Sequence, residues 1–373
     1  MHSKKVKIAI VYDWIDKWGG VERVLLHLNR LLPHADFYTS AVDMSRAQWA
    51  KKLSTHSSFI QSFPLFLRRK RSLLLPIYPI AFESFNFSEY DVVISITSAF
   101  AKGIITKPGT RHICYLLTPP RYLWSHIEDY LSPIERMIYA PILSHVREWD
   151  KKAAQRPDTF VSISQTVADR ALSVYGVKSD IVFPPFDTFY WDKQKSIATK
   201  EPKLVPTHPY FLWVGRMEKY KKPDLICEAA RLMPNSSFVF VGTGALESYL
   251  RRIAPSNCHF LGFVSDSQLS KLYSHADALI MPQNEDFGYI SLEAQYHGCP
   301  VIAYGAGGAL ETVRPEISGL FFEEQNGSSL VAVLERFNQI SYNLRHSTEG
   351  RFKEIQNQFG LERFDTQLIH YLE

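Results

Sequence analysis

Two carboxylates eight positions apart, Glu285 and Glu293, bracket Phe287-Gly288-Tyr289-Ile290 within EDFGYISLEAQYHGCPVIAYGAGG (285–308). The run follows a strand-like DALIMP (277–282) and leads into a helix-like ISLEAQYHG (290–298). A strand, a glycine-containing loop and a helix start aim backbone N–H groups and the positive end of a helix dipole at whatever lies in front. An anion held there, beside carboxylates able to accept hydroxyl hydrogen bonds, describes a sugar phosphate, and a sugar nucleotide is the natural ligand to expect. Taken alone, the same acids are also ordinary complements of a helix dipole.

Positive charge of the matching kind stands in VGRMEKYKKPD (214–224), where a strand ends and a helix begins. Arg216 and Lys221 could neutralise a diphosphate there. Lys222 competes with Lys221, and a solvated basic loop is the plainer alternative. In the first half, Gly19-Gly20-Val21-Glu22 closes a strand-to-helix turn, and two glycines allow a backbone to approach a phosphate or sugar closely. SAFAKGIIT (98–106), with Lys102, and TPPRYLW (118–124) add a second group of candidates. Pro119-Pro120 makes a stiff bend that presents Arg121, Tyr122 and Trp124. These could contact an acceptor phosphate or stack on sugars, although core packing suits Tyr122 and Trp124 equally.

Alternating strands and helices must position these residues. VKIAIVYDW (6–14), ADFYTS (35–40), YDVVISI (90–96), RHICYLL (111–117) and DTFVSIS (158–164) read as strands of the first half. GGVERVLLHLNRLLP (19–33) reads as its first helix. SDIVFPPFD (179–187) ends that pattern, and WDKQKSIATKEPKLVPTHP (191–209), with three prolines and several lysines, reads as a linker. The rhythm restarts with strands at 210–215, 236–242, 258–263, 277–282 and 300–305, and helices at 222–233 and 245–254. This alternation predicts an α/β protein of two doubly wound parallel-sheet domains facing one another across a cleft, with ligands at the carboxyl ends of the strands.

Length and composition agree. A chain of 373 residues suits two domains, and 46% hydrophobic with 21% charged residues fits a globular protein. No apolar run approaches the roughly 18 residues needed to cross a bilayer. The start, MHSKKVKIAIVYDW, shows no signal-peptide pattern, and Cys114, Cys227, Cys258 and Cys299 form no C-x-x-C pair. A cytoplasmic protein with free thiols and no zinc site is therefore expected. The net charge of +4 is unevenly spread: Met44–Phe82 holds seven basic residues and no acid. Its centre, FPLFLRRKRSLLLP (63–76), places Arg68, Arg69, Lys70 and Arg71 among bulky apolar residues. Peripheral contact with an anionic membrane, on the inner face of the plasma membrane, competes with a solvated helix end. No recognised nucleic-acid motif accompanies the charge.

EDFGYISLEA, GCPVIAYGAGGALETV (298–313) and GLFFEEQNGSSL (319–330) together resemble the family 4 glycosyltransferases, in particular the bacterial mannosyltransferases that build O-antigens and similar polysaccharides of the lipopolysaccharide type. The resemblance extends along most of the chain. It implies the GT-B fold, with an acceptor-binding domain over 1–195, a nucleotide-sugar domain over 196–352, and a terminal helix, 353–373, crossing back to the first body. It implies a retaining hexosyltransferase using GDP-mannose and a lipid-linked oligosaccharide acceptor. Carried over residue by residue, Arg216 and Lys221 grip the diphosphate, Glu293 holds the ribose hydroxyls and Glu285 approaches the donor sugar. The amides of Phe287, Gly288, Tyr289 and Ile290 orient that sugar and the β-phosphate, with Gly19 and Gly20 opposite. The similarity to an HTPxRYxW segment implies that Arg121, Tyr122 and Trp124, with Lys102, serve the acceptor. The chain departs from the pattern at Leu117, Tyr12 and Ser98, each standing where relatives often carry histidine.

The implied chemistry is electrostatic stabilisation of a leaving diphosphate while an acceptor hydroxyl enters on the same face and passes its proton to a phosphate oxygen. That scheme needs no cofactor, metal or enzyme histidine, and no D-x-D motif stands in a suitable loop. Three other readings compete. A glycosidase would use Glu285 and Glu293 as a carboxylate pair, but neighbouring cations favour ionised carboxylates and an anionic ligand. A non-catalytic sugar-nucleotide-binding subunit fits the three missing histidines. A UDP-sugar or another GDP-hexose would change only the donor.

Overall fold

The computed structural model describes residues 6–125, 127–201, 204 and 209–373. Contacts divide the chain into two units, Met1–Pro185 with Phe364–Glu373, and Phe186–Arg363. The first unit carries β1 (Ile8–Tyr12), β2 (Asp36–Thr39), β3 (Thr55–Ser57), β4 (Val92–Thr97), β5 (Arg111–Leu116), β6 (Thr159–Ser162) and β7 (Asp180–Ile181). The second carries β8 (Tyr210–Val214), β9 (Ser237–Val241), β10 (Cys258–Gly262), β11 (Ala278–Met281), β12 (Val301–Tyr304) and β13 (Gly319–Phe322). Among the described residues these form two all-parallel sheets, in the orders β3-β2-β1-β4-β5-β6-β7 and β10-β9-β8-β11-β12-β13.

Parallel sheets need helical crossovers on both faces, so their central strands are apolar throughout rather than alternating. VVISIT of β4 and YFLWV of β8 are buried at every position. In the second unit Phe211, Trp213, Phe238, Phe240 and Ile280 pack with Leu225, Ile226, Leu330 and Leu334 of the covering helices. In the first, Val11, Val93, Phe82 and Phe100 pack with Leu143 and Val146.

Each sheet reverses direction beside its first strand, between β1 and β4 and between β8 and β11. Loops leaving the carboxyl ends at such a switch point part to opposite faces and leave a crevice for a ligand. The segments after β8 and β11, bearing Arg216 and Glu285, are therefore neighbours by topology.

Two elements differ from the sequence reading. WDKQKSIATK of the expected linker begins inside helix Thr188–Ala198, capped by Asp187, whose carboxylate accepts from Tyr190 N at 2.9 Å. Trp191 of that helix is buried, and Lys195 Nζ donates to Tyr296 O at 2.7 Å, so the segment packs on the second unit. Lys193 is exposed, whereas Lys195 turns back onto the second unit, as does Trp191. Residues 202–203 and 205–208 of the same stretch, and 1–5 at the start, lie outside the described residues. Helix Phe352–Phe359 belongs to the second unit, and the part assigned to the first is Phe364–Glu373. Within the first unit it is fastened by His27 Nε2 to Asp365 Oδ1 at 2.5 Å and by Tyr371 OH donating to Asp180 Oδ2 at 3.0 Å.

Candidate functional site

The site of the second unit starts at the end of β8. Gly215 N donates to Val241 O at 3.0 Å and Met217 N to Thr243 O at 3.0 Å. The Gly242-Thr243-Gly244 loop lies directly on this backbone: a Cβ at Gly242 would stand 2.0 Å from Gly215 O, and one at Gly244 2.6 Å from Met217 N. Only glycine fits, and Gly242 also has φ +119. With Met217 buried beneath it, Arg216 stays exposed, its Nη2 donating to Tyr220 OH at 2.7 Å.

A single 3-10 turn, Lys219–Lys221, follows, and Lys222 takes the left-handed conformation (φ 51) that starts helix Pro223–Leu232. That turn decides between the two lysines. Lys221 Nζ is ion-paired with Glu285 Oε1, and the two side chains are largely buried. Gln283 Nε2 donates to the same Oε1 at 2.8 Å.

Glu285 sits in a loop braced from the other side. Gly308 N donates to Glu285 O at 2.8 Å. A Cβ at Gly307 would lie 2.1 Å from Asn284 Oδ1, and one at Gly308 2.5 Å from Phe287 Cα. The GAGG of the sequence thus packs backbone against backbone. Phe287 is buried against Tyr289 and Phe359, so its side chain is core and only its backbone is placed for a ligand. Gly288 (φ +89) begins helix Tyr289–Tyr296, which also carries Ile290.

Glu293 lies on that helix at 4% exposure, and its Oε2 accepts from Tyr273 OH at 3.1 Å. One turn on, burial pushes the His297 imidazole down to about 3. The neutral ring bridges Glu293 O at 2.6 Å and Ser270 Oγ at 2.7 Å. The structure therefore joins Lys221 to Glu285, and stations Arg216 on Tyr220 and Glu293 on Tyr273.

In the first unit, Gly19 caps helix Gly20–Leu31 in an extended conformation. A Cβ there would come within 3.0 Å of Glu22 Oε2. Glu22 is buried, accepts from Tyr12 OH at 3.3 Å, and burial raises its carboxyl above the usual range. Asp13, fully buried, gathers the loop after β4: Thr97 Oγ1 at 2.9 Å and the amides of Ser98, Phe100 and Ala101 at 2.7, 2.8 and 2.8 Å all donate to its carboxylate. Leu117 is buried and continues the β4–β5 pairing through its amide.

Two acceptor expectations are corrected. Lys102 is completely buried, ion-paired with Asp150 and donating to Ala99 O at 2.6 Å; it is structural and offers no acceptor contact. Asp150 also accepts from Trp124 Nε1 at 2.8 Å and Tyr175 OH at 2.7 Å, so the indole N–H of Trp124 is committed to the core. Tyr122 buries its hydroxyl with no hydrogen-bond partner among the described residues, and burial, with Asp150 next, pushes its pKa well up. Arg121 opens the short helix Arg121–Trp124.

The basic run is corrected too. Arg68 donates to Phe63 O at 3.0 Å and Val42 O at 2.9 Å, and Arg69 pairs with Asp43 at 2.8 Å. Arg71 pairs with Asp16 and stands 4.0 Å over the Trp14 ring. Three of the four cations therefore fold this unit, leaving Lys70 exposed. A short-range charge count cannot see partners such as Asp16 and Asp43.

Residues the sequence reading did not single out include Gln283, Gly242, Gly244 and Asp150. Glycines directly after a strand, as in FVFVGTG, were the available signal for two of them; Gln283 and Asp150 had none.

Residues 194–351 match the model of the family described as Glycosyl transferases group 1. The chain is 24% identical over 196 residues to an uncharacterized glycosyltransferase of Methanocaldococcus jannaschii, covering 47% of this chain and 50% of that protein. It is 21% identical over 291 residues to an uncharacterized 41.2 kDa protein in the cps region of Klebsiella pneumoniae, covering 73% and 76%. The crystal structure of Anabaena HepE in complex with UDP and glucose superposes with a TM-score of 0.71 at 17% identity, covering 99% of each chain. The chain spans about half the length of the first of these curated relatives. The fold is GT-B, two Rossmann-like parallel-sheet domains. Arg216, Lys221, Glu285 and Glu293 all lie within the matched residues.

Proposed function

We propose that this protein is a retaining glycosyltransferase that moves a hexose from a nucleoside-diphosphate sugar, GDP-mannose first among the candidates, to a lipid-linked oligosaccharide in cell-surface polysaccharide synthesis. The observation that carries this reading is the Lys221–Glu285 pair at the β8–β11 switch point, with Arg216 beside it. A cation for the diphosphate and a carboxylate for sugar hydroxyls then lie within one ion pair. As the anomeric C–O bond to the diphosphate breaks, negative charge grows on the leaving group, and Lys221 and Arg216 stabilise it. The acceptor hydroxyl bonds to the anomeric carbon on the departing face, and its proton passes to a phosphate oxygen. Glu293, buried on the helix behind Glu285, holds the ribose diol. The donor reading for GDP-mannose comes from the sequence resemblance alone.

A UDP-sugar is the second reading, favoured by the UDP and glucose bound to Anabaena HepE. Thermal shift with GDP and UDP separates the two: stabilisation by UDP and not by GDP removes GDP-mannose. Incubation with labelled GDP-mannose and lipid-linked oligosaccharide, with and without Glu293→Ala, tests the activity. Transfer lost in the variant supports the donor site, equal transfer by both proteins overturns it, and nucleotide binding without turnover marks a non-catalytic binding subunit.

The same reading sets the first unit against an anionic bilayer, where a lipid-linked acceptor resides. Exposed Phe66, Leu73 and Ile80 supply apolar contact, and Lys51, Lys52 and Lys70 supply charge. No described helix is long and apolar enough to cross a membrane.

A further inference from the structure

Gln283 follows β11 and Pro282, is 0% exposed, and has one polar bond among the described residues: Nε2 to Glu285 Oε1 at 2.8 Å. Its Oε1 is buried with no partner among the described residues. Turning the amide over would put an oxygen against a carboxylate oxygen, so the N–H must face Glu285 and the carbonyl must take the unsatisfied place. An unpaired buried acceptor carries an uncompensated desolvation cost. A fully buried amide with an unpartnered carbonyl and its N–H on a carboxylate calls for a reason, and the bond to Glu285 supplies one.

Oε1 of Glu285 thus receives two donors, Lys221 and Gln283. The two differ in what a donor substrate does to them. A diphosphate is a stronger electrostatic partner for an ammonium than one carboxylate is, so its arrival draws Lys221 away from Glu285. A neutral amide has no such competitor. Gln283 then remains a donor that holds the carboxylate rotamer while Glu285 meets the sugar.

We propose that Gln283 is a positioning residue for Glu285, holding its carboxylate in the sugar-binding orientation once Lys221 has engaged the diphosphate. The proposal rests on the functional reading above. It predicts that Gln283 matters for the sugar and not for the nucleotide, since only the sugar meets Glu285.

The test compares the wild-type protein with Gln283→Met, isosteric without the donor, and Gln283→Glu, which places two carboxyls side by side. Calorimetry with the nucleoside diphosphate and with the intact nucleotide sugar gives the binding split, and turnover gives kcat. The expected Gln283→Met result is an unchanged diphosphate Kd, at least a tenfold fall in kcat and a lost preference for the nucleotide sugar. In Gln283→Glu the bond returns only when the two carboxyls share a proton, so relative activity should climb as pH is lowered. A structural role would weaken both ligands together and give no such climb. Wild-type kinetics in both variants, or an equal loss of diphosphate and nucleotide-sugar binding, overturns the proposal while leaving the transferase reading intact. Failure of the wild-type protein to bind any nucleoside diphosphate overturns both.

Discussion

Lys221 meets Glu285 at the centre of the proposed donor site, so a diphosphate must compete with a carboxylate for the ammonium. Removing either partner has opposite consequences. Lys221→Met deletes a charge-assisted bond of about 1.5–3 kcal/mol and should weaken nucleoside-diphosphate binding by roughly 10–150-fold. Glu285→Gln removes the competitor, so calorimetry should find diphosphate binding equal or tighter while sugar transfer falls. Tighter binding in the lysine variant would contradict the assignment. Lys102 belongs to a different class despite its similar sequence setting. Its ammonium is fully buried on Asp150, which also holds Trp124 and Tyr175. Lys102→Met leaves a buried carboxylate short of its counter-ion, and urea unfolding should report a loss of about 3–5 kcal/mol. Lys152→Met, which removes an exposed pair with Glu148, should leave the midpoint unchanged. The sequence could not separate these lysines, because each follows a strand in a glycine-bearing loop. The partners that distinguish them, Glu285 and Asp150, stand 64 and 48 positions away.

At the scale of elements, helix Tyr289–Tyr296 depends on the neutral imidazole of His297 at its end. Nδ1 must donate to Glu293 O, so in the neutral ring Nε2 accepts from Ser270 Oγ. Burial lowers the folded pKa to about 3 from an ordinary value of 6.5. The unfolded chain therefore binds a proton first. The stability contributed is complete above 6.5 and lost progressively as pH falls toward 3, by up to about 1.4 kcal/mol per pH unit. His112, buried and likewise pushed down to about 3, adds the same sign in the first unit. Replacing His297 with the non-titrating Gln should flatten the fall in unfolding free energy between pH 6.5 and 5. An unchanged slope would place the acid sensitivity elsewhere. The strands around this helix were legible because fully apolar runs such as ALIM and VIAY admit little else in an α/β chain. Glu285, Glu293 and Lys221 were legible through motif and spacing. Helix Thr188–Ala198 was not, because its lysines and nearby prolines read as solvated chain while Trp191 turned inward.

For the whole molecule, the distribution of basic charge separates folding from association. The sequence showed seven cations without an acid between Met44 and Phe82, and that pattern alone suggests an anionic surface as partner. The fold divides the set. Arg68, Arg69 and Arg71 bind Val42, Asp43 and Asp16 within their own unit, whereas Lys51, Lys52 and Lys70 stand exposed. Large apolar side chains on the same segments are also exposed, Phe66 at 64% and Leu73 at 52%. Affinity for an anionic bilayer should then follow the exposed set. Replacing Lys51, Lys52 and Lys70 with Gln should lower partition into phosphatidylserine-containing vesicles by about 1 kcal/mol, roughly fivefold, per lysine. The remaining binding should lose its salt dependence. Phe66→Ser with Leu73→Ser should reduce partition at every salt concentration, since apolar burial is not screened. Arg69→Gln should act oppositely, lowering the melting temperature by loss of its Asp43 pair while vesicle binding of the folded protein stays near wild type. Cosedimentation with charged and neutral vesicles measures all three. If the arginine variant lost vesicle binding and the lysine variants kept it, the membrane-facing charge would be the folded-in set, and the division drawn by the fold would be wrong.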